Sequence, residues 1–241
     1  MPTTNYPEEI MKLLFIDEKM PAEAFEKLSK YGEPVKFSTS GLTYDPISGH
    51  PDIFFTKVGN RLIVAPNLPK KYKKLLQSKN IAFTEGELPV GEKYPESSRY
   101  NVVATGNFLF HNFRYTDSSI TDAAGNRDLV HINQGYARCS LLPLGEKHFI
   151  TSDRGIAKVL DYVPGINTLL IDPEGILLEG HRHGFIGGAA GIDGKRLILA
   201  GSLDHFNDGP KIREFVRPLG TEIIELYDGP LFDGGSILII N

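Results

Sequence analysis

The amino-acid sequence predicts an α/β fold in which five similar ββαβ units close into a propeller-like ring, with residues 1–241 forming a single domain. One observation is the repeated order of elements: strand, turn, strand, helix, strand. A second is the spacing of the second strands, which begin near residues 13, 62, 108, 149 and 197, roughly 40 to 50 residues apart. A third is that each chain end carries part of a unit. The alternative is an ordinary α+β fold whose segments are similar by chance.

The first complete unit begins with short apolar strands at residues 53–57 and 61–65. The turn between them, at Gly59 and Asn60, suits a β-hairpin. A helix of about ten residues follows, because apolar positions recur there with helical spacing. Residues 81–83 are expected to form the closing strand of this unit.

The next two units follow the same order. The unit at residues 100–133 is a shorter copy whose helix is poorly signalled, because TDSSITDAAGN is rich in turn-forming residues. The unit at residues 137–172 has its turn at Gly145, and either Ser152 or Asp153 is expected to cap its helix.

The last two units include the one divided between the chain ends. The unit at residues 183–226 has a hairpin turn at residues 193–194 and a helix that ends at Gly220. In the divided unit, GGSILIIN at the C-terminus supplies the first strand and MKLLFIDEK the second. The helix PAEAFEKLSKYG begins with Pro21 and ends at Gly32, and EPVKFS closes the unit.

Composition excludes several classes of protein. The net charge of −4 and a pI near 6.0 argue against a dedicated nucleic-acid binder. The densest basic run, KKYKK at residues 70–74, is expected to be the solvated face of a helix. A single cysteine, Cys139, excludes an internal disulfide and a multi-cysteine zinc site. No apolar stretch approaches the ~20 residues of a membrane helix, and residues 1–12 lack the features of a secretory signal. We therefore expect a cytoplasmic protein without membrane or nucleic-acid partners.

Three segments carry a family resemblance. The segments LFDGGSILII, HPDIFF and GHRHGFIGG stand at the first strands of three different units. With the order of elements, they resemble the pentein superfamily, the α/β-propeller of guanidino-group-modifying enzymes, and most nearly a bacterial branch that lacks the C-terminal cysteine. The superfamily includes arginine and agmatine deiminases, amidinotransferases and dimethylarginine dimethylaminohydrolases. The resemblance covers nearly the whole chain as a pattern of elements, with weak letter-by-letter identity.

The resemblance implies covalent catalysis, in which a cysteine thiolate attacks a guanidinium carbon while a histidine moves protons and carboxylates hold the guanidinium. The cysteine and the histidine of this mechanism are both absent from the positions at which the family has them. Matching Gly234 and Gly235 to the family's terminal Gly-Gly-x-x-Cys puts Leu238, or at most Ile239, where the cysteine belongs. The family's histidine enters in the third unit, where this sequence reads NQGYARCSLL. Loss of the nucleophile costs on the order of 10⁶ in rate, so another group would have to take its place.

The resemblance also implies that the first strands lie innermost and that polar residues at their leading ends face the axis. Asp52 and Asp233 are the expected anionic partners of a guanidinium-like ligand, although both also fit turn positions. The residues expected to contact the ligand are His50, Asp52, Asn101, Arg138 and Asp233, with Gln134 as a further polar candidate.

Cys139 is the candidate for a displaced nucleophile. It follows Arg138, whose charge would lower the pKa of the thiol if the two side chains were close. The competing interpretation is a buried cysteine in a core strand, since CSLL has the pattern of one. A slip of one residue in that strand exchanges Arg138 and Cys139 between the axis and the core.

His181 and His183 are candidate acid–base groups. Their spacing puts both rings on one face of a strand, because side chains alternate. With Asp233 they form an alternative metal-ligand set, although no metal and no cofactor are our first expectation. The alternative without a functional role is that both histidines form hydrogen bonds to neighbouring carbonyl groups or to solvent.

The sequence thus predicts a pentein-like protein that binds a small, guanidinium-like molecule in an axial pocket, as a hydrolase or amidinotransferase relative with a non-standard site. One alternative is a catalytically degenerate binding module, favoured by the aliphatic SILIIN terminus. Another is a metal site at the axis. A centre filled by aliphatic side chains would favour the binding module, whereas convergent polar groups would favour the other two.

Overall fold

The computed structural model describes residues 12–241, and these form five three-stranded sheets. In each sheet the first strand of the unit pairs antiparallel with the middle strand, and the middle strand pairs parallel with the last strand after a helix. Five ββαβ units are therefore present, as predicted.

Elements are numbered in chain order. The first strands are β3 (Phe55–Val58), β6 (Val103–Ala104), β9 (Leu141–Pro143), β12 (Ala190–Asp193) and β15 (Leu238–Ile240). The middle strands are β1 (Leu13–Asp17), β4 (Arg61–Val64), β7 (Phe108–His111), β10 (His148–Thr151) and β13 (Arg196–Leu199). The last strands are β2 (Glu33–Phe37), β5 (Thr84–Glu85), β8 (Asp128–His131), β11 (Asn167–Leu170) and β14 (Glu222–Glu225). The helices are α1 (Ala22–Leu28), α2 (Lys70–Ser78), α3 (Ser118–Asp122), α4 (Ala137–Ser140), α5 (Arg154–Leu160) and α6 (Gly209–Val216).

The divided unit closes the ring. Strand β15 pairs antiparallel with β1, with Ile240 opposite Leu13 and Leu238 opposite Phe15, and β1 pairs parallel with β2. Every residue of β1 is buried, because this middle strand has a partner on each edge and packed layers on both faces. Two segments more than 200 residues apart in the chain thus form one sheet.

The five first strands surround a common axis. A cavity of about 480 Å³ is lined by residues of β3, β6, β9, β12 and β15 together. The centre is narrow, since a Cβ at Gly191 in β12 would meet the carbonyl oxygen of Ile237 just before β15. The arrangement is an α/β-propeller with its first strands innermost.

Turns and caps follow the local chemistry of the sequence. Gly59 and Gly194 adopt left-handed φ angles of 60° each at the two predicted hairpins. Asp153 caps α5, accepting hydrogen bonds from the backbone N–H groups of Gly155 (2.7 Å) and Ile156 (3.0 Å). Helix α2 buries Tyr72 and exposes Lys70, Lys71 and Lys74, whereas Lys73 is half-buried and paired with Glu85, so the basic run is only in part a solvated face.

The closing strand of the first complete unit lies later than predicted, at β5 instead of residues 81–83. The reason is the end of α2. Asn80 adopts a left-handed φ of 56°, and the N–H of Ile81 bonds back to the carbonyl of Leu76. These residues therefore terminate the helix.

Two predicted strand starts are also wrong. The CSLL segment begins as α4, a single helical turn in which the N–H of Ser140 bonds to the carbonyl of Tyr136. His181 and His183 lie on a loop that precedes β12 by several residues. The glycines that follow them form a turn. The alternation of side chains along a strand therefore applies neither to His181 and His183 nor to Arg138 and Cys139.

No helix within residues 12–241 is both long and apolar enough to cross a membrane. The expectation about a secretory signal concerns mainly residues 1–11, which lie outside the described residues.

Candidate functional site

The turns that precede the first strands bring four buried side chains together. A 3₁₀ turn at Pro51–Ile53 contains Asp52 and directly follows His50. Cys139 lies on α4, and Asp233 lies in the turn before β15. His50, Asp52 and Asp233 are each 1% exposed, and Cys139 is 3% exposed. Ligand atoms of His50, Cys139 and Asp233 all lie within 4.8 Å of one another.

The Cys139 thiol is held by two neighbours. It donates to Oδ2 of Asp52 (3.1 Å) and accepts from Nδ2 of Asn101 (3.4 Å). Oδ1 of Asn101 accepts from the backbone N–H groups of Arg138 (2.7 Å) and Cys139 (3.2 Å). Asn101 therefore fixes both the α4 turn and the sulfur atom, so its contacts are those of a positioning residue.

Asp233 is held by backbone donors. The N–H of Phe185 donates to Oδ2 (2.8 Å), and the N–H of Gly235 donates to Oδ1 (3.1 Å). A Cβ at Gly188 would overlap the Asp233 carboxylate, and a Cβ at Gly184 would collide with its side chain. The glycine-rich run after His183 is thus required for close packing against Asp233.

His50 is an unusual buried histidine. Among the described residues, neither of its ring nitrogens makes a hydrogen bond of standard geometry, and its polar contact with the backbone of Asp233 favours the charged ring. Burial lowers the pKa of His50 to about 3, because the charged imidazolium loses its hydration. The ring is therefore neutral at physiological pH, with donor and acceptor capacity that the surrounding protein does not fully use.

Burial also shifts the acids towards their neutral forms. It raises the pKa of Asp233 to about 7, with the negative charge of Asp52 adding to the effect. Burial raises the pKa of Asp52 as well, although the charge of Arg138 opposes that shift. Oδ1 of Asp52 has no hydrogen-bond partner among the described residues. A cation placed beside these carboxyls would be favoured by their potential.

The expectation that Arg138 activates Cys139 is wrong. Burial raises the pKa of the thiol well above its ordinary value, and the charges of Asp52 and Asp233 raise it further. The Arg138 guanidinium is directed to the carbonyl oxygens of Gly187 (2.9 Å) and Ala190 (3.0 Å). The thiol is therefore protonated in the isolated protein.

A cavity of about 350 Å³ opens onto this cluster. Its polar floor includes Cys139 and Asp233, and aromatic side chains of Tyr44, Tyr136 and Phe185 line it. The other lining residues are Ile47, His50, Leu178, His181, Arg182 and His183. Its size and mixed lining are typical of a small-molecule site.

The predicted site residues divide between two cavities. His50, Cys139, His181, His183 and Asp233 line the 350 Å³ cavity. Asp52 and Arg138 instead line the 480 Å³ cavity between the first strands, and Asn101 lines neither. Gln134 bonds to Asp153 (3.2 Å) and to the backbone of Tyr136 (3.0 Å).

His181 and His183 line the cavity but do not belong to the buried cluster of possible ligands. His181 is exposed, and Nδ1 of His183 contacts the carbonyl of neighbouring Gly184 at 3.0 Å. In the described part of the chain, the His/Cys/carboxylate group close enough to share a cation contains His50 and Cys139 with Asp233, not the histidine pair.

Asp17 was missed by sequence reasoning. It ends β1 fully buried, with Oδ1 accepting from the N–H of Lys19 (2.8 Å) and Oδ2 without a partner among the described residues. Burial raises its pKa to about 6, and its charge contributes to the raised pKa of Asp233. A carboxylate that ends the apolar strand LLFID was the available signal. Nothing in the spacing of Tyr44 or Tyr136 indicated their place at the cavity.

Five ββαβ units around a buried polar centre form an α/β-propeller of the pentein fold. The chain belongs to the group described as "Family of unknown function (DUF6873)", whose model matches residues 15–238. No curated protein sequence matches the chain.

Solved structures similar to this chain share its fold at low sequence identity. SxtG, an amidinotransferase from Microseira wollei in the saxitoxin biosynthetic pathway, has a TM-score of 0.56 at 12% identity over 89% of this chain and 87% of its own. The agmatine deiminase of C. jejuni has a TM-score of 0.55 at 11% identity, over 89% and 86%. A cysteine variant of DDAH from Pseudomonas aeruginosa, in complex with citrulline, has a TM-score of 0.51 at 10% identity, over 89% and 91%.

Proposed function

We propose that the 350 Å³ cavity binds a small guanidinium-like cation and that the protein acts on a C–N bond of that ligand, as a hydrolase or an amidinotransferase. The observation that carries this proposal is the buried Asp233 carboxylate, which borders the cavity within 4.8 Å of the Cys139 thiol. The solved structures with this fold include an amidinotransferase and an agmatine deiminase, which supports the same ligand class.

Charge and shape favour such a cation. A carboxylate accepts two parallel hydrogen bonds from a guanidinium, and Asp233 is held in place for this by two backbone donors. Asp17 and Asp52 add negative potential, since both raise the pKa of Asp233. The rings of Tyr44 and Tyr136 line the same cavity and supply faces on which a planar cation can stack.

Cys139 is the nucleophile of this proposal. On binding of the cation, the thiol proton passes to Oδ2 of Asp52, which lies 3.1 Å from the sulfur. A C–S bond then forms at the guanidinium carbon, the C–N bond to the departing amine breaks, and the amine leaves with that proton. Water attacking the S-amidino carbon then breaks the C–S bond and releases the Cys139 thiolate, which completes hydrolysis. An acceptor amine attacking the same carbon releases the thiolate in the same way and completes transfer. The Asp52 carboxylate, which is free again after the amine leaves and lies 3.1 Å from the sulfur, accepts the proton of the attacking group and returns it to the thiolate.

Ligand binding is tested by thermal unfolding with arginine, agmatine, methylated arginines and creatine. A compound at 100 times its dissociation constant stabilises the folded state by about 2.7 kcal/mol. We expect at least one compound to raise the melting temperature of the wild type and of Asp228→Asn, an exposed control, but not of Asp233→Asn. A shift that persists in Asp233→Asn, or no shift with any compound, contradicts the proposed site.

Turnover is tested separately with whichever compound binds. Release of amine or ammonia should occur with the wild type and disappear in Cys139→Ser, which keeps the binding shift because Asp233 is unchanged. Turnover that survives Cys139→Ser would exclude the thiol mechanism. Binding without turnover in the wild type would instead identify a guanidine-binding module.

A further inference from the structure

We infer that His50, Cys139 and Asp233 form a binding site for a thiophilic divalent cation of the Zn²⁺ class. Each residue supplies one ligand atom, and these atoms lie within 4.8 Å of one another in a fully buried cluster. The inference concerns the same cavity as the proposed function but does not rest on it.

The donor set selects the metal. A thiolate, an imidazole and a carboxylate together match Zn²⁺ and Co²⁺ and disfavour Mg²⁺ and Ca²⁺, which prefer oxygen ligands. Tetrahedral coordination at about 2.0–2.3 Å puts ligand atoms about 3.3–3.5 Å apart. Side-chain movements of about 1 Å therefore suffice to bring the three atoms to a common ion.

His50 provides an independent observation. Its side chain is 1% exposed, yet neither ring nitrogen makes a hydrogen bond of standard geometry among the described residues. Buried polar atoms without partners are rare, because burial removes their hydration without compensation. A metal–nitrogen bond would satisfy one nitrogen of this ring.

The surroundings also suit a metal centre. Metal ligands are usually oriented by hydrogen bonds from outer groups. Here the N–H of Phe185 orients the Asp233 carboxylate, and Nδ2 of Asn101 donates to the Cys139 sulfur. Metal binding releases the thiol proton to solvent. The thiolate and the carboxylates of Asp52 and Asp233 then carry three negative charges against the single positive charge of Arg138, and a dication neutralises the difference.

The site leaves one coordination position for a small molecule. All three ligand residues line the 350 Å³ cavity, whereas structural zinc sites are closed by four protein ligands. The fourth position therefore faces the cavity and takes water or an anionic or neutral ligand atom.

The test uses Co²⁺, whose spectrum reports its ligands. Titration of the purified, reduced protein should give one equivalent of bound Co²⁺, with thiolate-to-metal charge-transfer absorption and the visible bands of tetrahedral cobalt, and Zn²⁺ should displace it. Cys139→Ser should lose the charge-transfer band, and His50→Asn and Asp233→Asn should each weaken binding by roughly tenfold or more. His205→Ala, a surface histidine paired with Asp228, should behave as the wild type.

Absence of the charge-transfer band in folded wild-type protein overturns the inference, whatever the variants do. Dependence of binding on His181→Ala or His183→Ala, with no effect of His50→Asn, overturns the ligand assignment. Binding of guanidino compounds is measured on the same wild-type protein. A protein that binds those compounds but no Co²⁺ therefore refutes this inference alone, and the reverse result refutes only the proposed function.

Discussion

Three buried carboxyl groups, those of Asp17, Asp52 and Asp233, act on one another across the centre of the molecule. Asp17 and Asp52 both raise the pKa of Asp233, and the half-buried cation Arg138 opposes the raised pKa of Asp52. Carboxyls held in this way weaken the folded state when they ionise, because the unfolded chain hydrates them fully. Their presence is therefore better explained by a cationic ligand than by stability.

Asp17→Asn tests the loss of stability caused by ionisation of a buried carboxyl, at a residue that is not one of the proposed ligands. The pKa of Asp17 is raised by burial from 3.8 to about 6, so the folded state binds more protons than the unfolded state between those values. Stability from the neutral carboxyl is full below pH 4 and is lost as pH rises to about 6, by up to about 3 kcal/mol. Urea unfolding should show the stability of Asp17→Asn relative to wild type increasing from pH 4 to pH 6.5.

The matched control is Asp128→Asn, whose side chain is exposed on β8. Its stability relative to wild type should change little over the same pH interval. Parallel pH profiles of Asp17→Asn and wild type would show that Asp17 ionises in the folded state as readily as in the unfolded state.

Sequence patterns identified the acids of the centre better than its histidine and thiol chemistry. Asp52 and Asp233 could be found because each lies in the turn that leads into a first strand. The short spacing of His181 and His183 attracted attention, but convergence depends on the path of the chain between units. His50 meets Cys139 and Asp233 only because turns from three units approach the same point.

At the scale of elements, turns and caps were predictable from the sequence wherever a single residue determines the backbone conformation. Gly59, Gly194 and the Asp153 cap are of this kind. The α4 turn was not, because CSLL is compatible with a strand, and tertiary bonds from Asn101 to the backbone of residues 138 and 139 stabilise the helical turn instead.

Asp153→Ala measures how much one cap contributes to a unit. Oδ1 of Asp153 accepts from two N–H groups in the first turn of α5, at 2.7 Å and 3.0 Å. Their loss should lower the free energy of unfolding by about 1 kcal/mol, within a range of 0.5–2. Gln134→Ala is the control, since it removes the 3.2 Å bond to Oδ2 and the 3.0 Å bond from the N–H of Tyr136 but leaves the cap intact. Equal losses in the two variants would assign the effect to that side-chain contact.

At the scale of the whole molecule, two cavities in the described part of the chain meet at the centre of the ring. The Cys139–Asp52 hydrogen bond lies between them, since Cys139 lines the 350 Å³ cavity and Asp52 the 480 Å³ cavity. This division follows from the ring: the first strands surround one cavity, and the segments before β3, β9, β12 and β15 line the other. The sequence could predict the ring from its repeat, but the two cavities arise from side chains of all five units.

Ring closure can be tested by removing residues 238–241, which deletes β15. Leu13, Leu14 and Phe15 would lose their antiparallel partners, and the buried Ile240 alone accounts for about 1.5–3 kcal/mol. We expect the truncated protein to lose at least about 3 kcal/mol of unfolding free energy in urea, or not to fold, because the lost strand bonds add to that burial.

Removal of Asn241 alone is the control for that truncation. It eliminates one exposed contact, the 2.7 Å hydrogen bond from Lys57 Nζ to Asn241 Oδ1, and should change stability by less than about 0.5 kcal/mol. The guanidino-compound shift should survive this deletion but not the loss of β15, because Asp233 and Gly235 are held by the chain that enters that strand. If the four-residue truncation unfolded at the wild-type urea concentration, the strand would not be what closes the ring, and the Asp233 turn would have to be held by the other four units.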